Sequence, residues 1–158
     1  MAMNETVVDA LLKDLRNVNE SVRERATRDL WRLWFEQKGM LGLEGLRRAQ
    51  LLLELRDFSK AEELLNKLIS QQPDFAEAWN RRAVLHYVQG RYWNAIADCE
   101  EVVRLNPVHF GALHGLGLCY ISLGNYRAAI QAFHRALQVQ PFSLENQRLL
   151  LECSLKLS

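Results

Sequence analysis

The chain has 158 residues, of which 49% are hydrophobic and 25% charged, and its formal net charge is +1. That length amounts to one ordinary domain with apolar residues enough for a substantial core, and the near-zero charge gives no field of one sign, which argues against nucleic acid or an anionic membrane as the main partner. Cys99, Cys119 and Cys153 are an odd number of cysteines in a chain too long to need disulfide staples, so a reducing compartment is expected. No apolar run reaches the roughly 18 residues of a membrane span, and Met1 to Asn4 lead into an amphipathic pattern with no signal peptide ahead of it.

The first helix is predicted from Asn4 or Thr6 to Asn17, because Val7, Val8, Leu11, Leu12, Leu15 and Val18 recur at helical spacing. Asn19 and Glu20 form a turn, and Ser21 with Glu24 reads as a capping box opening a second helix that runs to about Gln37. Val22, Ala26, Leu30, Leu33 and Trp34 give that helix one apolar face, which Trp31 and Phe35 broaden. Two uses of these aromatic groups stay open: they cover the exposed first face of whatever follows, or they form a surface patch that recruits a partner. Lys38-Gly39-Met40 ends the helix, with glycine at the left-handed stop.

Pro73, Pro107 and Pro141 are the only prolines, and they fall 34 positions apart twice over. The residues between them repeat as well, which marks stacked helical hairpins. Three units follow, 42–75, 76–109 and 110–143. The third carries Leu113, Leu116, Gly117, Tyr120, Gly124, Tyr126, Ala129, Phe133, Ala136 and Pro141; the second carries Trp79, Ala83, Gly90, Tyr92, Ala95 and Pro107. The first is degenerate, keeping Ala49, Phe58, Ala61, Leu65 and Pro73 but placing Gly45 and Arg48 where Trp and Leu belong. On these residues the chain resembles the tetratricopeptide repeat (TPR) family.

The resemblance implies an all-α fold, a right-handed superhelical stack of antiparallel helix hairpins (an α-solenoid) of about nine helices. It would form one structural domain: a divergent hairpin over 1–41, the three repeats, and a capping helix over 144–158. Physical chemistry supports the same picture. Small residues permit close approach within each hairpin, so Gly117 or Ala83 should face Ala129 or Ala95. Each proline ends a helix, since it lacks an amide and biases the preceding residue away from helical angles. Asp74 with Glu77 should cap the following helix, and Ser143 the last one. Leu144, Leu150, Leu151 and Leu155 should seal the third hairpin, leaving Glu145, Arg148, Glu152 and Lys156 outside.

No catalytic constellation emerges. His86, His109, His114 and His134 have no partner at ligand spacing on one helical face. Gly111, Gly115 and Gly117 lie within a helix with no strand before them, unlike a phosphate loop. Cys99 reads as a small buried hydrophobe. No metal, no cofactor and no enzymatic activity are expected.

In the resemblance, the first helix of each hairpin lines a concave face that binds peptides. Leu46, Asn80, His114 and Arg148 make one column; Gln50, Val84, Leu118 and Glu152 a second; Leu53, Tyr87, Ile121 and Leu155 a third. Glu77, Arg47 and Arg81 border them. An apolar centre with polar edges suits an amphipathic helix or an extended apolar segment. Arg47 and Arg81, with Arg48 and Arg82 one position on, read either as forks for a partner's carboxylate or as charges paired with Glu44, Glu77 and Glu54. One branch of the family holds acidic chaperone C-termini in a clamp of Lys, Asn and Arg. Here those places hold Leu46, Gln50, Arg81, Gly111 and Gly115, so no chaperone-tail binding is expected.

The expected function is that of a non-catalytic interaction module or adaptor, holding a peptide or amphipathic helix of a partner protein in the concave groove. The alternative is a structural subunit or self-associating scaffold that uses the Trp-rich hairpin. The expected state is a monomer or weak dimer. The layout also resembles small bacterial, including cyanobacterial, and plastid TPR proteins, which implies the cytoplasm, or the plastid stroma if a transit peptide has been removed.

Overall fold

Each proline stands two residues beyond the end of a helix. A computed structural model describes the chain from residue 2, with side chains from residue 5; the side chains of Met1 to Asn4 therefore lie outside the described residues. Among the described residues nine helices follow one another: α1 (Ala2–Asp14), α2 (Glu20–Phe35), α3 (Gly39–Glu54), α4 (Phe58–Gln71), α5 (Ala76–Val88), α6 (Tyr92–Leu105), α7 (Phe110–Ser122), α8 (Tyr126–Val139) and α9 (Leu144–Lys156). No strand occurs among the described residues. Gln72, Asn106 and Gln140 are the C-caps that the prolines follow, each leaving the helical region with φ between −121° and −143°. This is the bias a proline imposes on its predecessor.

Pairs α3/α4, α5/α6 and α7/α8 are antiparallel hairpins, and α9 closes the stack against α8. Successive first helices, α3 with α5 and α5 with α7, touch one another, whereas α4, α6 and α8 are spread apart. The inner, concave side of the curve therefore belongs to α3, α5, α7 and α9. The largest core cluster lies between the last two hairpins, where Ala83, Ala95, Ile96, Cys99, Val102, Leu113, Leu116, Cys119 and Ala136 are all buried. Arg82 ties three helices together: its guanidinium donates from Nε and Nη2 to both oxygens of Asp98 on α6, each at 2.8 Å, and from Nη1 to Asn66 Oδ1 on α4 at 2.9 Å. It is thus an internal brace, facing away from the groove edge where the repeat register had placed it.

Several caps differ from expectation. Asn19, not Ser21, caps α2, its side chain accepting from the Ser21 amide at 2.9 Å. The asparagine wins because it stands one residue before the first helical amides and reaches them directly. Asp74 does not cap α5, whose N-cap Phe75 offers no side-chain bond; the Asp74 carboxylate instead pairs with Lys38 Nζ at 2.7 Å, joining the start of α3 to the α4–α5 turn. Ser143 does cap α9, accepting from the Asn146 amide at 3.3 Å. That helix is rotated from the expected register: Asn146, Leu149 and Cys153 face the α8 side, while Leu144, Leu151 and Leu155 stay 78%, 60% and 65% exposed.

The N-terminal hairpin holds the largest surprise. Were it stacked in series, α1 and α2 would cover the front of the first repeat. That front is open, with Leu41, Leu51 and Leu55 exposed. Instead the hairpin folds back over the repeats. On α1, Val8, Leu11 and Leu12 share with Val108 and Val139 one cluster built around Leu15, Leu30, Trp34 and Phe110, and Arg16 Nη1 donates to the Gln138 carbonyl at 2.7 Å. Helix α2 crosses the concave face itself.

Candidate functional site

The concave face is shared between the protein's own α2 and open space. Reading along α2, Arg23 sits over the ring of Phe142 at 4.3 Å, at the start of α9. Trp31 and Trp34 lie over the start of α7: Trp34 stacks on His109 with centroids 4.5 Å apart and touches Phe110 at 4.9 Å, while Trp31 meets the same two rings edge-on at 5.2 and 5.4 Å. Phe35 reaches α3 and α5, where it joins Leu46, Phe75 and Ala78. The helix therefore runs across the middle of α3 and the starts of α5 and α7 to the approach to α9. Gly111 makes room for it, because a Cβ there would stand 2.5 Å from Trp31. Burying three aromatic side chains in this way is worth several kcal/mol, on the order of 1.5–3 each.

This placement decides the fate of the predicted groove residues. Leu46, Glu77 and Asn80 are buried beneath or beside α2, so they form no open groove wall. Glu77, expected at a groove edge or in a surface pair, is wholly enclosed and bonds to His109 Nε2. His109 Nδ1 accepts from the Ala112 amide at 3.0 Å, so the imidazole proton lies on Nε2 and points at the Glu77 carboxylate. A buried acid needs such a donor, since an unpaired one would cost several kcal/mol. His114 does the same with Asn146 one repeat later: its Nδ1 donates to Asn146 Oδ1 at 2.6 Å. These histidines are structural links between neighbouring helices. Sequence reading missed the Glu77–His109 link; the signal was a carboxylate at a position that faces the next repeat, 32 residues before a histidine.

The remaining predicted residues fall in two groups. Val84 and Val88 on α5 are 36% and 48% exposed, and Leu53, Tyr87, Leu118 and Ile121 beside them are half-buried. Together they form an apolar strip across α3, α5 and α7 that α2 leaves uncovered. Arg148 and Glu152 at its far end are exposed and pair with each other at 2.7 Å. Arg47, Gln50 and Arg81 gather at the near end, where Arg81 Nη1 donates to Gln50 Oε1 at 2.8 Å and the guanidinium lies over the Phe35 ring at 4.8 Å. Neither Arg47 nor Arg81 pairs with Glu44 or Glu54; Gln50 Nε2 holds Glu54 at 3.1 Å.

The three cysteines are free and buried; burial pushes the Cys119 thiol up to about 11 and raises Cys99 and Cys153 as well, so all three resist forming the nucleophilic thiolate. No group of three or more potential metal ligands occurs among the described residues. No helix among them is long and apolar enough to cross a membrane.

Family models described as tetratricopeptide repeat match residues 46–110 and 111–143, more than half of the chain. The chain belongs to the tetratricopeptide repeat family. Among curated TPR proteins, a TPR repeat-containing protein of Rhizobium etli is 30% identical over 135 residues, covering 85% of this chain and 66% of that protein's own length. Two solved TPR domains share the fold at lower identity. The first TPR of Spaghetti (RPAP3), bound to the HSP90 peptide SRMEEVD, superposes with a TM-score of 0.69 at 20% identity over 73% of this chain and 91% of that one. The TPR2B domain of yeast Sti1, in complex with pHsp70, superposes with a TM-score of 0.63 at 20% identity over 72% and 98%. These two correct the expectation that a TPR chain of this kind takes no chaperone tail: the same fold holds such partners in both neighbours.

Proposed function

We propose that this TPR chain is a non-catalytic protein-binding module that seats a segment of a partner protein on the half of its concave face left open by α2. The observation that carries the reading is the apolar strip of Val84, Val88, Tyr87, Leu118 and Ile121, which crosses neighbouring helices without a covering element. Exposed apolar area gathered on a concave face is what an interaction surface requires. The occupant that fits best is an amphipathic helix lying alongside α2, apolar side down. Helix α2 itself supports this, since it fills the adjoining half of the same face as a helix with Leu30, Trp31, Trp34 and Phe35 turned inward. The peptide-bound TPR neighbours lend support to a protein partner as the ligand class. The self-associating alternative is less favoured, because Trp34, at the centre of the proposed contact, is buried against His109 and Phe110 within the protein.

The test is capture of the partner from the native cell by the wild type and by a Val84→Glu, Val88→Glu variant shown to be folded by circular dichroism. Both side chains are solvent-facing, so the fold is expected to survive and the partner to be lost. Equal capture by the two proteins would overturn the strip as the binding surface.

A further inference from the structure

The stack has two open ends, and each exposes side chains at positions that the inner repeats bury. At the front, Leu41 and Leu51 of α3 are 83% and 55% exposed. Their counterparts one unit later, Phe75 and Leu85, are wholly buried, in clusters with Ile69 and with Ala61 and Leu65 of α4. At the back, Leu144, Leu151 and Leu155 of α9 are exposed, whereas Phe110, Gly117 and Ile121, one unit earlier, are buried or half-buried. Leu55 extends the front patch.

The charges at the two ends match through the same register. Between successive first helices, a side chain meets one 31 or 32 positions further on: Arg81 donates to Gln50, and His114 to Asn146. Leu46 and Ala78, two units before that histidine and asparagine, share one core cluster. Continued beyond α9, the offset sets Arg148, one unit after His114, against the position that Asn146 holds; at the front of a following copy that position is Glu44. It likewise sets Glu152, the counterpart of Gln50, against Arg47, the counterpart of Arg81. Neither Glu44 nor Arg47 makes an ion pair among the described residues, and Arg148 and Glu152 hold each other in an exposed pair.

We propose that copies of this chain associate head to tail, with α9 of one copy running parallel to α3 of the next. Arg148 pairs with Glu44 of the next copy and Glu152 with its Arg47, and the same offset sets Leu155 on Leu51. The copies tilt together so that Leu144 and Leu151 close on Leu41 and Leu55, in the space that a second helix fills at the inner junctions. Such a contact is heterologous: every added copy leaves one front and one back free, so it builds an open series. Six exposed leucines and two ion pairs cover less than about 1,200 Å², the range of weak, reversible contacts. The Trp-rich hairpin stays engaged within each copy. Stacking repeats the concave strip from copy to copy, which favours a partner carrying several binding segments. The inference goes beyond the protein-binding reading and does not depend on it.

The experiment is sedimentation velocity on the full chain from about 10 µM to about 1 mM, the range in which a contact this small associates. The average mass of the wild type should climb with concentration past that of a dimer. Leu51→Lys blocks the front and Leu155→Lys the back; both leucines face solvent, and circular dichroism checks that each variant is folded. Either variant alone should stay monomeric, whereas an equal mixture should form pairs and nothing larger, because only one intact front can meet one intact back. Glu44→Arg should weaken association at least about tenfold by setting like charges together, and Glu44→Arg with Arg148→Glu in one chain should restore it. The Val84→Glu, Val88→Glu variant should associate like the wild type, which keeps this result apart from the test of the strip. A wild type that stays monomeric throughout would overturn the proposal, as would loss of association in the strip variant or a double charge reversal that restores nothing. So would a dimer that survives Leu51→Lys, which would place α9 on α9, or one that survives Leu155→Lys, which would place α3 on α3.

Discussion

At the scale of single residues, the protein closes its buried polar groups on partners from neighbouring helices. Glu77 and His109 close on each other inside the concave face, and Arg82 takes both oxygens of Asp98. His86 lies beside the same aspartate, its Nε2 3.6 Å from Asp98 Oδ2 and its Nδ1 buried without a partner. Burial holds the His86 pKa below the ordinary range; Asp98 and Glu62 oppose this, and Arg82 and Arg91 add to it. The folded protein thus keeps His86 neutral, while the unfolded chain takes up the proton near the usual value of about 6.5. Stability from this residue is complete above that value and is lost as pH falls from it towards the depressed folded value. The urea midpoint of the wild type should therefore drop more steeply between about pH 7.5 and 5.5 than that of His86→Gln, which has no proton to gain. Parallel profiles for the two proteins would contradict the assignment.

At the scale of elements, much was legible and one thing was not. The prolines and the 3.6-residue apolar pattern locate the helices because stop signals and periodicity are local properties of the chain. Register within the hairpins was partly legible: Gly117 was expected to face Ala129, whereas a Cβ on it would stand 2.4 Å from Phe133, so the glycine admits an aromatic ring. The rotation of α9 was missed because Leu144, Leu150, Leu151 and Leu155 crowd its sequence, while Asn146, buried against His114, selects the inner face by a hydrogen bond no pattern records. The position of α2 was not legible at all. Its aromatic side chains announce a need for cover, yet which distant surface supplies it depends on a contact with His109 and Phe110 more than seventy positions later. Only Gly111, a missing side chain where the groove register expects one, hinted at it. Trp34 is the centre of that contact, so Trp34→Ala should lower the unfolding free energy in urea by about 3–5 kcal/mol, as aromatic truncations in packed sites do. A loss below about 1 kcal/mol would mean that α2 rests on the face without being anchored to it.

At the scale of the whole molecule, the folded-back hairpin changes what kind of object a repeat protein is. In a plain stack each hairpin touches only its neighbours, so stability is a chain of local terms and the ends fray first. Here Arg16 bonds to Gln138, 122 positions away, and α2 touches α3, α5, α7 and the start of α9 together. The front repeat has Leu41, Leu51 and Leu55 exposed and would be the weakest member of an unclasped stack. With the clasp in place, opening α3 and α4 must also disturb Phe35 and, through α2, the contacts of Trp31 and Trp34 on α7. Native-state hydrogen exchange should consequently report nearly equal opening free energies for the α3/α4 and α7/α8 hairpins in the wild type. In Trp34→Ala the two should separate, with α3/α4 exchanging through a lower-energy opening while α7/α8, supported by α6 and α9, keeps more of its protection. If the front hairpin already exchanges far faster than α7/α8 in the wild type, α2 covers the groove without coupling the repeats. The concave face would then be free to open one repeat at a time, and a partner helix on the Val84 strip would meet a flexible front edge in place of a rigid one.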